Sequence, residues 1–532
     1  MRPTPPQKET NLAKKTHPLT LSPFQLVIFC LLLLTSACQS RLLTPPRLAT
    51  ETAVAQTPPT VTPEPVFLPA PTPTPGAVAT TAVPPEPESA NPSLTIWINE
   101  TDPTNEQILQ ELMTEFETSA QVDVELALVP PLLLPELINT AVLSDTLPDI
   151  VFHPLIYTAG WVQRGILIPA VADEIVAGLG PETFNGNVLE LLRQGRLVTA
   201  VPSDGYPQII LYRQDWFDER GLAPPDNFDA MLAAAETLFA PEDFISGFVA
   251  PTESNLITTH QVFEQMAAAN GCQLIDEAGE VQLLQPACQE AIDFYFALIN
   301  QFSPIGVQTD ASARSAYLAG RTGMIVTSSA ILPALAGLDK TAVPTCPACT
   351  TPDYLAQNSG IITQITGSGP LAKPANFGTI TNLGITRQAE RETAVAFARF
   401  WFNEGYGRWL AVSPEQKVPM RWGTTAQPHL FIDNWGGTPL TEGQPSLADL
   451  WGTAVTADIA ADIASPTRWA IPQKQGGLLI AMYEELVLPI VLQEMLSGYF
   501  GPEQTLLEMY NRVIELIPNY AFPVEINQES DS

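Results

Sequence analysis

Between Ser93 and Val129 the spacing of apolar residues changes period twice. "SLTIWIN" (Ser93 to Asn99) is a short β-type run, "NEQILQELMTEFETSA" (Asn105 to Ala120) has apolar residues at helical spacing, and "QVDVELALV" (Gln121 to Val129) alternates. A helix buries a stripe of period 3.6 and a strand a face of period 2, so the segment predicts β-α-β. The pattern continues with a helix in "LLLPELINTAVLS" and a buried strand in "DIVFH". Two further strand runs, "LVTAVP" and "IILYRQDWF", precede a helix in "FDAMLAAAETLF" and a long helical centre from His260 to Gln301. Strands alternating with helices predict an α/β fold with mostly parallel sheets.

The first ninety residues follow a different rule. Lys14 and Lys15 precede "LVIFCLLLL" (Leu26 to Leu34), which "TSAC" follows. Basic, apolar, then small is the order of a secretory signal, expected over 1–37, and the apolar run is too short for a stop-transfer helix. The small residues before cysteine resemble the lipobox of bacterial lipoproteins, in which Cys38 would be acylated and begin the mature chain. From Thr44 to Pro92 more than a quarter of the residues are proline and no apolar period recurs. Residues 38–92 are therefore expected to be a disordered, semi-rigid spacer reaching about 3.1 Å per residue in its extended stretches.

Composition narrows the function classes. The 57 acidic and 24 basic residues give a net charge of −33, the wrong sign for displacing phosphate counterions, so no nucleic-acid partner is expected. With 45% hydrophobic residues in 532, there is material for a large core in two domains or two lobes.

The order of motifs resembles the extracellular solute-binding proteins of ABC importers, specifically the carbohydrate-binding family that includes maltose-binding protein. The motifs that carry it are "LTIWIN", "LPDIVFH", "GILIPA" and "RLVTAVPSDGYPQIILYRQDWFDERGLAPPDNFDAMLAAAETL", then "NGCQLIDEAGEVQLLQPACQEAIDFYFALI" and "AYLAGRTGMIVTSSA". "RETAVAFARFWFNEGYGRWLAVSPEQKVPMR" and "LPIVLQEMLSGYFGPEQTLLEMYNRVIEL" complete a collinear series. The resemblance implies a type II periplasmic-binding-protein-like fold with two lobes joined by about three hinge crossings, near Ser203 to Gln208, Ile365 to Leu371 and Val418 to Arg421. Lobe 1 is expected over 93–205 plus 370–420, lobe 2 over 206–369 plus 421–525, and a tail over 526–532. Glycine or proline lies at each crossing, where backbone dihedrals are expected to change.

Ligands meet the C-terminal ends of strands in such sheets. The candidate contacts are Asn99 and Glu100 after the first strand, His153 and Tyr157 after "DIVF", and Asp204 and Tyr206 after "TAVP". Asn255, Ser328 and Ser329 are expected from the second lobe, with Arg421 and Trp422 after the third crossing. Carboxylate, amide and guanidinium groups suit sugar hydroxyls, and aromatic faces pack on pyranose rings. Where many relatives carry a tryptophan after "GMIV", this chain has "TSSA", so that platform is missing. Trp97, Trp401 and Trp409 are expected in the core.

Cysteine usage agrees with an oxidising compartment. Once Cys30 is lost with the signal and Cys38 carries lipid, Cys272, Cys288, Cys346 and Cys349 remain, an even number that suggests disulfides. Cys272 and Cys288 flank a stretch centred on a Glu-Ala-Gly turn, and "CPAC" lies in a Pro/Thr-rich loop without a following helix pattern, which favours a structural loop disulfide over redox chemistry. No metal site, cofactor or catalytic constellation is expected. "ITGSGP" lacks the context of a nucleophile elbow and "GSGPLAK" the spacing of a phosphate loop. The leading reading is a monomeric, lipid-anchored protein on the extracytoplasmic face of the cell membrane, which captures a small neutral solute, a carbohydrate, and delivers it to ABC permease subunits. A sensor or scaffold of the same fold is the alternative, and an extracellular glycan hydrolase the third.

Overall fold

The structure is a computed structural model and describes residues 91–100, 102–518 and 520. The expected signal peptide, Cys38, nearly all of the spacer and the tail lie outside the described residues.

The β-α-β opening forms as β1 (Ser93–Ile98), α1 (Pro103–Ala120) and β2 (Asp123–Leu128), with β1 and β2 parallel in register. α2 (Leu134–Ser144) leads to β3 (Ile150–Pro154), parallel to β1, and α3 (Leu155–Gln163) follows directly. "LVTAVP" and "IILYRQDWF" do not make two strands joined by a break. Val201 to Arg213 is one thirteen-residue strand, β4. Pro207 interrupts it little, because on one edge β4 pairs through Asp204 and Gly205 and then again from Gln208, and Pro207 falls in the gap.

The second lobe contains α4 (Phe228–Leu238), β5 (Ser246–Val249), α5 (Ile257–Ala269), α6 (Pro286–Phe302), α7 (Asp310–Leu318), β6 (Thr322–Ser328) and β7 (Ser359–Ile362). The chain returns along β8 (Ala375–Ile385), adds the helix α8 (Arg391–Phe400) and reaches the short strand β9 (Val418–Pro419). It ends with helices α9 (Leu447–Ile463), α10 (Gly476–Glu484), α11 (Val487–Leu496) and α12 (Pro502–Glu515).

Among the described residues ten strands join one sheet, whose main path runs β2-β1-β3-β8-β4-β6-β5. β1, β2 and β3 are mutually parallel, β8 is antiparallel to both β3 and β4, and β6 is antiparallel to β4. The strands of the two lobes therefore run in opposite senses. Their C-terminal ends converge on the middle of β4, with Pro154 opposite Thr381 beside Asp204 and Ser328 opposite Gln208.

Crossings appear at β4 and β8, with the second later than expected. Thr366 N–H bonds to Asp226 O, and Gly367 and Lys373 N–H both bond to Ala269 O, so 366–373 stay with the second lobe. The third also comes later, because Asn185 N–H donates to Met420 O and Trp422 N–H to Thr183 O. These bonds hold residues 420–422 in the first lobe, and the return runs along α9. Asp462, near its end, accepts from Thr363 and Gln364.

The glycines of the crossings serve close approach. Gly205 and Gly378 both face α9, and a Cβ on Gly378 would sit 2.1 Å from Ile463 Cδ1 and 3.0 Å from Tyr206 O. Gly378→Val is expected to lose about 1–3 kcal/mol by overpacking α9 against the sheet, read as a lower midpoint in urea unfolding; an unchanged midpoint would show that α9 yields freely.

Candidate functional site

Alternation along β4 puts Asp204 and Tyr206 on one face and Gly205 and Pro207 on the other. Their partners on β8, Thr381 and Thr379, share the first face. α9 covers the second face, and the first opens between the lobes, where Tyr206, Thr379 and Thr381 remain partly exposed.

The Tyr206 hydroxyl bonds with Thr379 and lies within electrostatic reach of Arg314 and Asp310 from the second lobe and Glu100 from the first. Burial raises its pKa. Arg314, on α7, donates from Nη2 to Ser328 Oγ at 2.8 Å and from Nε to Thr327 Oγ1 at 3.1 Å. Asp310 Oδ2 accepts from Thr258 Oγ1 at 2.9 Å. These groups are polar, and they project from two crossing strands, the end of β6 and the helix α7, positions at which rigid elements hold a donor or acceptor in place.

Behind them lies a buried charged group. Asp204 Oδ2 accepts from Ser203 Oγ at 2.6 Å and from Trp409 Nε1 at 2.8 Å. Burial raises the Asp204 pKa, against these two bonds and the nearby Lys417 ammonium. Lys417 Nζ donates to Val412 O at 2.6 Å and sits 4.3 Å from the centre of a Trp409 ring, a cation–π contact. Burial lowers its pKa, opposed by Asp204, Glu100, Glu415 and Asp102. Glu100 accepts from Asp102 N–H at 2.8 Å and Asn105 Nδ2 at 2.6 Å.

The other sequence candidates are placed unevenly. Asn99 is partly exposed beside Glu100, and Asn255 is exposed on the loop before α5. Ser328 receives Arg314, whereas Ser329 is buried and donates to Glu415 O at 2.6 Å, tying the end of β6 to the segment before β9. His153 is fully buried, with Nε2 3.1 Å from Thr158 Oγ1 and Nδ1 3.2 Å from Val151 O. Burial brings its pKa down to about 4, so it is a neutral core group at pH 7. Tyr157 is buried and stacked on Trp161, ring centres 5.2 Å apart. Arg421 is also buried, and its guanidinium is spent within the first lobe on Phe402 O, Asn403 Oδ1, Leu179 O and Thr183 Oγ1. Trp422 is partly exposed and stacks on His429. The structure thus gathers Asn99, Glu100, Asp204, Tyr206 and Ser328, while His153, Tyr157 and Arg421 pack inside. Trp401 and Trp409 are core, as expected, whereas Trp97 is only partly buried, packed against the core.

Sequence reasoning missed Thr379, Thr381, Asp310, Arg314, Glu415 and Lys417. The two threonines had a signal in the alternation of "NFGTITNLGI", but only strand pairing sets them beside Asp204 and Tyr206. Arg314 and Lys417 had none, because an isolated cation in a helix or a turn is usually solvated.

Comparison with known proteins agrees with this fold. A curated relative, the putative ABC transporter periplasmic-binding protein YcjN of Escherichia coli K12, is 24% identical over 352 residues, 63% of this chain and 74% of that protein. Among solved structures, maltose-bound MalE3 of T. maritima superposes with a TM-score of 0.62 at 16% identity, over 80% of this chain and all of that one. A solute-binding protein from Agrobacterium vitis S4 with bound D-mannitol gives a TM-score of 0.55 at 17% identity, over 80% of this chain and 97% of the other. Both likenesses support the two-lobed type II fold. The model of the bacterial extracellular solute-binding protein family matches residues 100–408, and the chain belongs to that family of ABC-transporter binding proteins, which are not enzymes.

Proposed function

We propose that this protein captures a small polyhydroxylated solute, a carbohydrate or polyol, between its lobes and hands it to an ABC permease while anchored to the extracytoplasmic face of the membrane through lipid on Cys38. The observation that carries the reading is the convergence of strand ends from both lobes on Asp204 to Gln208, with hydroxyl, carboxylate and guanidinium groups directed to one face. Groups from two lobes around one position favour closure, since a ligand that touches both lowers the closed state relative to the open one. Maltose and D-mannitol are the ligands of two similar structures, which places sugars and polyols first among the probes.

One observation favours the sensor or scaffold. α3 of the first lobe packs on α10 of the second without space between them: a Cβ on Gly160 would lie 2.6 Å from Ile480 Cδ1, and one on Gly476 2.4 Å from Ala159 Cβ. Such contact resists opening.

Thermal unfolding of the full chain with maltose, ribitol, mannitol and tagatose, with product analysis, separates the readings. A ligand at 100 times its Kd is expected to add about 2.7 kcal/mol of stability without turnover, and Tyr206→Ala to weaken binding about tenfold by removing a buried hydroxyl contact. Turnover would support the hydrolase, and silence across the panel the scaffold. Mass spectrometry of membrane-extracted protein is expected to find a lipidated N-terminal Cys38; any other start defeats the anchor.

A further inference from the structure

The segment that leaves α9 and runs through α10 is tied to both lobes. On the second lobe, Trp469 N–H donates to Glu264 Oε1 at 2.8 Å and its Nε1 to Cys272 O at 3.0 Å. Tyr483, on α10, stacks on His260 of α5 with ring centres 4.1 Å apart, and its hydroxyl donates to Glu264 Oε2 at 3.4 Å. On the first lobe, Lys474 Nζ donates to Arg193 O at 3.4 Å, and α10 lies against α3. α3 begins where β3 ends and α5 follows β5. α10 therefore bridges two helices that stand at the strand ends converging between the lobes.

The contact on the first lobe leaves no room for a methyl group. A Cβ on Gly160 would lie 2.6 Å from Ile480 Cδ1, one on Gly476 2.4 Å from Ala159 Cβ, and one on Gly477 2.3 Å from Gln163 Oε1. Leu478, Leu479, Ile480, Met482 and Tyr483 are all buried, and a helix that is apolar all round needs cover on every side. If the lobes part, α10 cannot keep both sets of contacts.

Both ends of α10 carry backbone suited to a change of direction. Among the described residues seven non-glycine positions have positive φ, and three of them flank this one helix: Ala470 at +60°, Lys474 at +61° and Leu486 at +51°. Residues with a Cβ visit that region seldom and stay there only where their surroundings hold them, as in switch segments. Ala470 and Lys474 lie between the second-lobe anchor Trp469 and the start of α10, and Leu486 lies between α10 and α11.

We infer that α10 is a strap that holds the lobes closed in the absence of solute, and that they open to admit solute only when α10 lifts from α3. Ala470, Lys474 and Leu486 take up the change of direction, while Tyr483 keeps α10 on α5. Interlobe contact of this kind is part of the resting state and does not wait for a ligand. Its consequence for capture rests on the solute-binding reading, but the strap itself does not: the fraction of molecules with α10 lifted sets the apparent affinity and the rate of entry.

The test compares the full native chain with Gly160→Leu, which drives a side chain into Ile480, by small-angle X-ray scattering without solute. The native chain is expected to scatter as the closed particle and the variant to have a larger radius of gyration while still unfolding in one cooperative transition. Should Gly160→Leu not fold, Ile480→Ala decides, because it loosens the same contact by removing volume. Maltose and mannitol are expected to associate with the loosened variant about tenfold faster, as removal of a closed state that is nine-tenths populated would allow. A native chain already open without solute, or a folded variant that scatters as the native chain does, would overturn the inference and leave solute capture standing. Unchanged association with an opened variant would overturn the gating of entry. If neither sugar binds any form, it is the solute reading that suffers, and the scattering still decides the strap.

Discussion

Arg468→Met is expected to cost about 3–5 kcal/mol of stability, the penalty for stranding a buried carboxylate, measured by urea unfolding at pH 7. Glu264 on α5 is fully buried, and its Oε1 lies 3.1 Å from Arg468 Nε and accepts from Trp469 N–H at 2.8 Å. The guanidinium also lies 4.5 Å from the centre of the Phe377 ring on β8, so the pair joins α5 to a crossing strand. Burial pushes the Glu264 carboxyl up, but Arg468, His260 and the Trp469 amide outweigh it and hold the pKa at about 2. A folded-state pKa below the unfolded one contributes stability above the unfolded value, near pH 4.5, and that contribution is lost as pH falls towards 2. Without Arg468 the carboxyl titrates higher. The deficit of the variant should therefore shrink on acidification, and Arg468→Met with Glu264→Gln should recover part of the loss at neutral pH. A deficit below about 1 kcal/mol, the range of an exposed ion pair, would contradict the account.

Removing the Cys272–Cys288 bridge with a double alanine substitution is expected to destabilise the second lobe by about 3 kcal/mol, the chain-entropy value for closing a loop of this size. The bridge is present and separates its cysteines by 16 positions. The loop it closes carries the turn expected from its glycine, with Asp276 N–H on Glu280 O and Gly279 at φ +86°. Trp469 Nε1 donates to Cys272 O at 3.0 Å, so loosening the loop also loosens the wall beside Glu264. The second bridge, Cys346–Cys349, closes only three positions, and its removal should cost less. Unfolding with and without reductant, compared with the double variant, checks the assignment: reductant should lower the stability of the native protein by a similar amount and barely affect the variant. A variant as stable as the native protein would refute it.

Local elements were legible because each answers to a local rule. α1 and β2 begin and end within two residues of the segments their periods marked, and "DIVFH" became a strand buried along Ile150 to His153. The disulfides followed from count and spacing. The crossings were less legible: Gly205 and Pro207 read as a break, yet they lie inside one strand because backbone pairing on both edges outweighs what single residues prefer.

The cleft shows where the division falls. By itself the sequence determined the α/β class, the strand ends that supply Asn99, Glu100 and Ser328, and the family, since these depend on residue order and period; Asp204 and Tyr206 lie in the middle of β4 instead of at a strand end. Only the tertiary structure decided which side chains turn inward. His153 lies on β3, Tyr157 on the helix after it and Arg421 just past β9, yet the side chains of all three are buried. Thr379 and Arg314 reach the cleft through β8 and α7, segments far apart in sequence. Period shows which residues share a face; what the face meets depends on chain closure over hundreds of residues, which no local pattern encodes.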